Sequence, residues 1–154
     1  MRIGLLVDGL HDREAIDRLS NLTNLAGAEI LLVYVHGHGA RGGFDLIRRR
    51  PGGHGLPPQR EHELAEAEVR RGAEALADAA RHAASLNVTV RTVELTGEPG
   101  REVCELAGRE RLDLVVVRGA GRDAPPLGPR SVGPAARFIT DHCPCPVLVL
   151  RGDV

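Results

Sequence analysis

The residues Leu114 to Val117 are four consecutive apolar positions that stop at Arg118, Gly119, Ala120 and Gly121. A run this short cannot be an amphipathic helix, and without alternation it cannot be a strand with one wet face. It reads as a strand buried on both sides that ends in a glycine turn. Ile3 to Val7, closed by Asp8 and Gly9, and Ile30 to Val35 repeat the pattern, and Val147 to Leu150 gives a shorter version. Strands buried on both faces need helices above and below, so these runs restrict the chain to a parallel α/β sheet.

The intervening segments carry the helices. Asp12 is placed to cap a helix whose apolar positions are Ala15, Leu19, Leu22 and Ala26, with Gly27 closing it. A second helix is expected from about His62 to Leu86, with Ala65, Val69, Ala73, Leu76, Ala80 and Ala83 down one stripe. Val88, Val90 and Leu95 alternate with Thr89 and Arg91 as an edge strand would. Gly97, Glu98, Pro99 and Gly100 form a turn, and Val103, Leu106 and Ala107 mark a short helix ending near Gly108. Gly133 and Pro134 suit the cap and first position of a last helix bearing Val132, Ala136 and Ile139; Pro144 and Pro146 end it. Each strand, helix, strand step implies a right-handed parallel crossover.

Between His36 and about Glu61 the pattern gives way to Gly, Pro and Arg, including Arg48, Arg49 and Arg50, a connection long enough to be either functional or mobile. Composition on its own reads as a solvated segment, with closure over an anionic ligand as the alternative. At 154 residues the expectation is one domain, residues 1 to 154, around one core.

Several function classes are disfavoured at this point. Aromatic residues make up 2% of the chain and the formal net charge is -1, so neither base stacking nor a basic field points to nucleic acid. All 20 basic residues are Arg, which removes any P-loop lysine and any Schiff-base mechanism. No apolar run reaches membrane-spanning length and the first residues read directly into a strand, so a cytoplasmic protein without membrane partners is expected. Three cysteines, Cys104, Cys143 and Cys145, make no disulfide framework and are expected as reduced thiols.

Taken together, VDG at Val7 to Gly9, ILLVYV at Ile30 to Val35, TGEPGREV at Thr96 to Val103, DLVVV at Asp113 to Val117 and CPVLVLR at Cys145 to Arg151 resemble the universal stress protein family over nearly the whole chain. The resemblance implies an open, Rossmann-like, five-stranded parallel sheet of order 3-2-1-4-5 with helices on both faces. Its crevice would lie at the carboxyl ends of strands one and four, where Asp8 and the Gly119 corner face each other.

ATP-binding members of that family carry G-x2-G-x9-G-[S/T] after the fourth strand. Position by position, the first Gly falls on Arg118, the second on Gly121, the third on Arg130 and the hydroxyl residue on Ser131, in a segment one residue shorter than the pattern. Asp8 and Val35 match the ribose and adenine side, and Val132 the apolar residue after the hydroxyl. The implied nucleotide-binding set is Asp8, Val35, Arg118, Gly119, Gly121, Arg130, Ser131 and Val132, with ATP, and Mg when ATP is bound, as the ligand. Arg in place of Gly adds a side chain where backbone should approach phosphate and makes a positive φ costly. The same arginines, with Arg122, supply permanent cations that suit phosphate.

Other readings are weaker. Gly119, Gly121 and Ala124 satisfy G-x-G-x-x-A, but Pro125 and Pro126 forbid the helix that must follow. PRSVG around Ser131 lacks the first glycine of a nucleophile elbow. His36 and His38 read as loop histidines, and His142, Cys143 and Cys145 as structure in preference to a metal or redox cluster. No general base is placed beside Ser131, so enzymatic activity beyond a slow ATPase is not expected. The reading is therefore a binding and regulatory protein with a degenerate ATP pocket, paired into a homodimer through the edge strand Val147 to Leu150. Its alternative is a dimeric protein-interaction module that no longer binds ATP.

Overall fold

The computed structural model describes residues 1–37, 58–119 and 132–151. Five strands, β1 (Arg2–Leu6), β2 (Glu29–Gly37), β3 (Thr89–Gly97), β4 (Leu114–Arg118) and β5 (Val147–Leu150), alternate with four helices, α1 (Asp12–Leu22), α2 (Pro58–Ala84), α3 (Pro99–Glu110) and α4 (Pro134–His142). The sheet is parallel throughout, in the order β3-β2-β1-β4-β5. β1 lies between β2 and β4, pairing Ile3 with Ile30 on one side and with Leu114 on the other.

Alternate residues of these strands feed two separate cores. Ile3, Leu5, Ile30, Leu32, Tyr34 and Val116 face Ile16 and Leu19 of α1 and Leu76, Ala79 and Ala83 of α2. Leu31, Val33, Val115 and Val117 face Val103, Leu106 and Ala107 of α3 and Ala136 and Ile139 of α4. Burial on both faces is the reason β1, β2 and β4 carry unbroken apolar runs. β3 alternates between exposed and half-buried positions as the outer strand on its side.

The element types agree with the sequence patterns, while several boundaries and faces differ. Asp12 is the first residue of α1 and not its cap; His11 occupies the cap position. The helix ends at Leu22 with Thr23 as its cap, five residues short of the pattern's end at Gly27, and Leu22 is 64% exposed while Ile16 is fully buried. β2 runs on through His36 and Gly37. α2 begins at Pro58, and its buried positions are Gly72, Leu76, Ala79 and Ala83, whereas Ala65, Val69 and Ala73 are exposed. A 27-residue helix extends far beyond a nine-residue strand, and only its second half has a sheet to cover. α3 continues past Gly108 to Glu110, closed by Arg111 in the left-handed conformation.

The TGEPG segment shows how local chemistry fixes this architecture. Glu98 caps α3 by accepting hydrogen bonds from the amides of Gly100 (3.2 Å) and Arg101 (2.8 Å), and Pro99 takes the first helical position. Gly100 is buried where a Cβ would come within 2.9 Å of Phe138, so its absence lets α3 and α4 approach.

Candidate functional site

The turn after β1 is built by two carboxylates. Asp12 is 8% exposed; its Oδ1 accepts the amide of Asp8 at 3.0 Å and its Oδ2 the amide of Gly9 at 2.8 Å. Gly9 has φ +81°, which glycine adopts without cost. Asp8 Oδ1 in turn accepts from the amides of Leu10 at 2.8 Å and His11 at 3.4 Å, the side-chain-to-backbone pattern of an Asx turn. Burial raises the Asp12 carboxyl above the ordinary aspartate range; the two amide hydrogen bonds oppose that shift, and the neighbouring Asp8 charge adds to it.

The outer oxygen of Asp8 faces across the sheet. Arg118, the last residue of β4, donates from Nη1 to Asp8 Oδ2 at 3.1 Å, with the arginine side chain 16% exposed and the aspartate 41%. The two meet because β1 and β4 are neighbours and both point their carboxyl ends to the same edge. From β1 the chain crosses to β2 on one side, and from β4 to β5 on the other. That divergence opens a crevice between their ends.

Among the residues expected at this site, the structure brings Asp8 and Arg118 into contact and puts Gly119 immediately behind them. Arg118 remains in strand conformation: the positive-φ non-glycine residues among those described are Asn87 and Arg111. The backbone cost expected for arginine at this position therefore does not arise. Gly119 does not begin the turn; its amide donates to Leu150 O at 2.9 Å, extending the pairing with β5, and a Cβ there would press on Val149 at 3.3 Å. Val35 is half-buried near the end of β2, and Val132 is half-buried against the core beneath α3 and α4. Gly121, Arg130 and Ser131 lie outside the described residues, as do Arg122, His38 and Arg48 to Arg50.

Two further residues take roles that spacing did not suggest. Asp12 was legible only as a helix-start residue, while its function is to fix the turn that presents Asp8. His36 is not in a loop: it sits in β2, bonded through Nε2 to Glu94 on β3 at 2.6 Å, with its ring tilted 60° against Tyr34. Among the described residues no group of three His, Cys, Asp or Glu side chains is arranged to hold a metal.

What this corner offers chemically is an acceptor carboxylate beside a guanidinium. Those groups fit a ligand that carries both hydroxyls and an anionic end. Among the described residues, no Ser, Thr or Cys side chain has a His, Asp or Glu side chain as its hydrogen-bond partner.

Comparison with known proteins accords with this fold. The model of the universal stress protein family matches residues 1–151. Universal stress protein MJ0531 of Methanocaldococcus jannaschii is 32% identical over 98 residues, which is 63% of this chain and 56% of that protein. The chain thus aligns with little more than half of that relative's length. Among solved structures, universal stress protein UspA from Lactobacillus plantarum superposes with a TM-score of 0.72 at 21% identity, covering 98% of this chain and 97% of its own. A universal stress protein family protein from Arabidopsis thaliana, solved with AMP bound, superposes with a TM-score of 0.67 at 17% identity, covering 100% and 93%. The chain belongs to the universal stress protein family.

Proposed function

We propose that this chain is a cytoplasmic, non-enzymatic binding protein of the universal stress type whose crevice takes an adenine nucleotide in a degenerate pocket. The observation that carries the reading is the Asp8–Arg118 contact at the switch point of the sheet, where related folds hold their ligands. In this reading Asp8 accepts from the ribose hydroxyls, Val35 and Val132 flank the base, and Gly119, Gly121, Arg130 and Ser131 border the phosphates. Arg118 stands between the two halves. A relative solved with AMP supports the ligand class. ATP is the expected nucleotide, and Mg would arrive on its phosphates.

The ion pair makes the pocket degenerate without closing it. A partly exposed pair is worth roughly 0–1 kcal/mol, so exchanging it for a ribose hydroxyl costs little. Calorimetric titration of the chain with ATP, with and without Mg, is the test. Binding in the micromolar to low millimolar range that Asp8→Ala weakens is the expected result. No heat and no thermal shift at millimolar nucleotide would leave the interaction module as the function.

The partner in this proposal is a second copy of the chain. β5 pairs only with β4, no other described strand lies along its outer edge, and three of its four apolar residues are half-exposed. Such an edge invites pairing with its own copy. Light scattering should report twice the 16.5 kDa of one chain at micromolar concentration; a persistent monomer would contradict the dimer.

A further inference from the structure

All three cysteines gather at the opposite end of the sheet from the crevice. Cys143 caps the carboxyl end of α4, Cys145 immediately precedes the short lead into β5, and their sulfurs are 3.7 Å apart. Pro144 and Pro146 each follow a cysteine, which restricts both cysteines to extended backbone; Cys143 has φ -66° and ψ 135°. Extended residues two apart project to the same side, so the two thiols share a face by construction. Cys104, on α3, interacts with both of them. Each of the three is half-buried.

The cluster is not explained by the nucleotide reading, nor does it form a metal site among the described residues. Packing needs no pair of sulfurs at this spacing. A disulfide requires about 2.05 Å between sulfurs, so closing the gap takes less than about 2 Å of side-chain rotation.

We propose that Cys143 and Cys145 form a redox modification site that reacts with low-molecular-weight disulfides of the glutathione type and closes into an intramolecular disulfide. Cys143, the thiol in contact with both others, loses its proton to solvent and attacks one sulfur of the external disulfide. That bond breaks, leaving a mixed disulfide on Cys143 and one free external thiol. Cys145 in turn gives up its proton to solvent, attacks the Cys143 sulfur and expels the second external thiolate, which takes up a proton. Two protein thiols are oxidised and one external disulfide is reduced to two thiols. Burial pushes the Cys145 thiol up to about 12 and that of Cys104 up to about 11, so closure speeds up as the solution becomes more alkaline.

The test uses the reduced full-length chain exposed to oxidised glutathione, then alkylated, cleaved after arginine and weighed. Cleavage separates residues 102–109, carrying Cys104, from residues 138–151, carrying the other two. The expected result is a fall from three alkylatable thiols to one, with residues 138–151 lighter by two hydrogens and Cys104 still alkylated. Cys104→Ser should close as wild type does, and Cys145→Ser should stop at the glutathione adduct on Cys143. Three thiols remaining, a bond between the two fragments, or a bond between chains would each overturn the proposal. The wild-type measurement alone can do so, whatever the variants' folding.

Discussion

The Arg118 guanidinium and the Asp8 carboxylate meet at 3.1 Å although 110 positions separate them in the chain. Arg118→Gly removes the competing cation and leaves Asp8 Oδ2 open to a ribose hydroxyl. Releasing a pair worth about 1 kcal/mol corresponds to about a fivefold gain in nucleotide affinity. Calorimetry on the variant, with circular dichroism as a control for folding, measures it. A fall in affinity would instead assign Arg118 to the anionic end of the ligand.

Asp12 holds the same turn from behind. Asp12→Ala leaves the amides of Asp8 and Gly9 without their acceptor, and leaving such groups unsatisfied costs about 1–3 kcal/mol. Urea denaturation should show that loss, and Asp12→Asn, which keeps one acceptor oxygen, should fall between it and wild type. Nucleotide affinity should drop along with stability, because the turn that aims Asp8 loosens.

Two carboxyl groups are displaced from the ordinary aspartate range in opposite directions. Arg13 and then Arg81 hold Asp78 at about 2, below its ordinary 3.8. Its stabilising contribution is present above the unfolded value and lost as pH falls through about 2. Asp12 is raised above 3.8, chiefly by burial, so its contribution is complete below the unfolded value and lost as pH rises through the folded one. Carboxyl chemical shifts followed by NMR would show both, and Arg13→Ala should move Asp78 back toward 3.8. An unmoved Asp78 would dismiss the α1–α2 bridge.

Two glycines of α3 should respond with opposite signs to the same substitution. Gly100→Ala drives a methyl to within 2.9 Å of Phe138 and should cost about 1–3 kcal/mol as the α3–α4 contact reopens. Gly108→Ala has only Pro144 nearby, at 3.8 Å, and should stabilise the helix by about 0.5–1 kcal/mol. Thermal unfolding of the two variants decides the matter, and equal shifts would contradict the packing difference.

Much of the fold is legible from local pattern because period and punctuation act over a few residues. Unbroken apolar runs can only be doubly covered strands, and Glu98-Pro99-Gly100 carries its own cap. The strand order was readable through family resemblance, since no local force distinguishes which strands become neighbours. Periodicity extends the α2 stripe along the whole helix, whereas burial depends on where the sheet ends; the bounds of α1 and the place of His36 in β2 likewise depend on tertiary contacts and not on local spacing.

By itself, then, the sequence determined the succession of strands and helices and the turn at Asp8 and Gly9, because those follow from side-chain period, glycine and proline. Only the tertiary structure decided that Arg118 answers Asp8, that Asp12 anchors the turn and that Cys104 joins the Cys143–Cys145 pair. Each is a contact between distant segments, made when the sheet and its helices bury their apolar faces, and no local spacing encodes it.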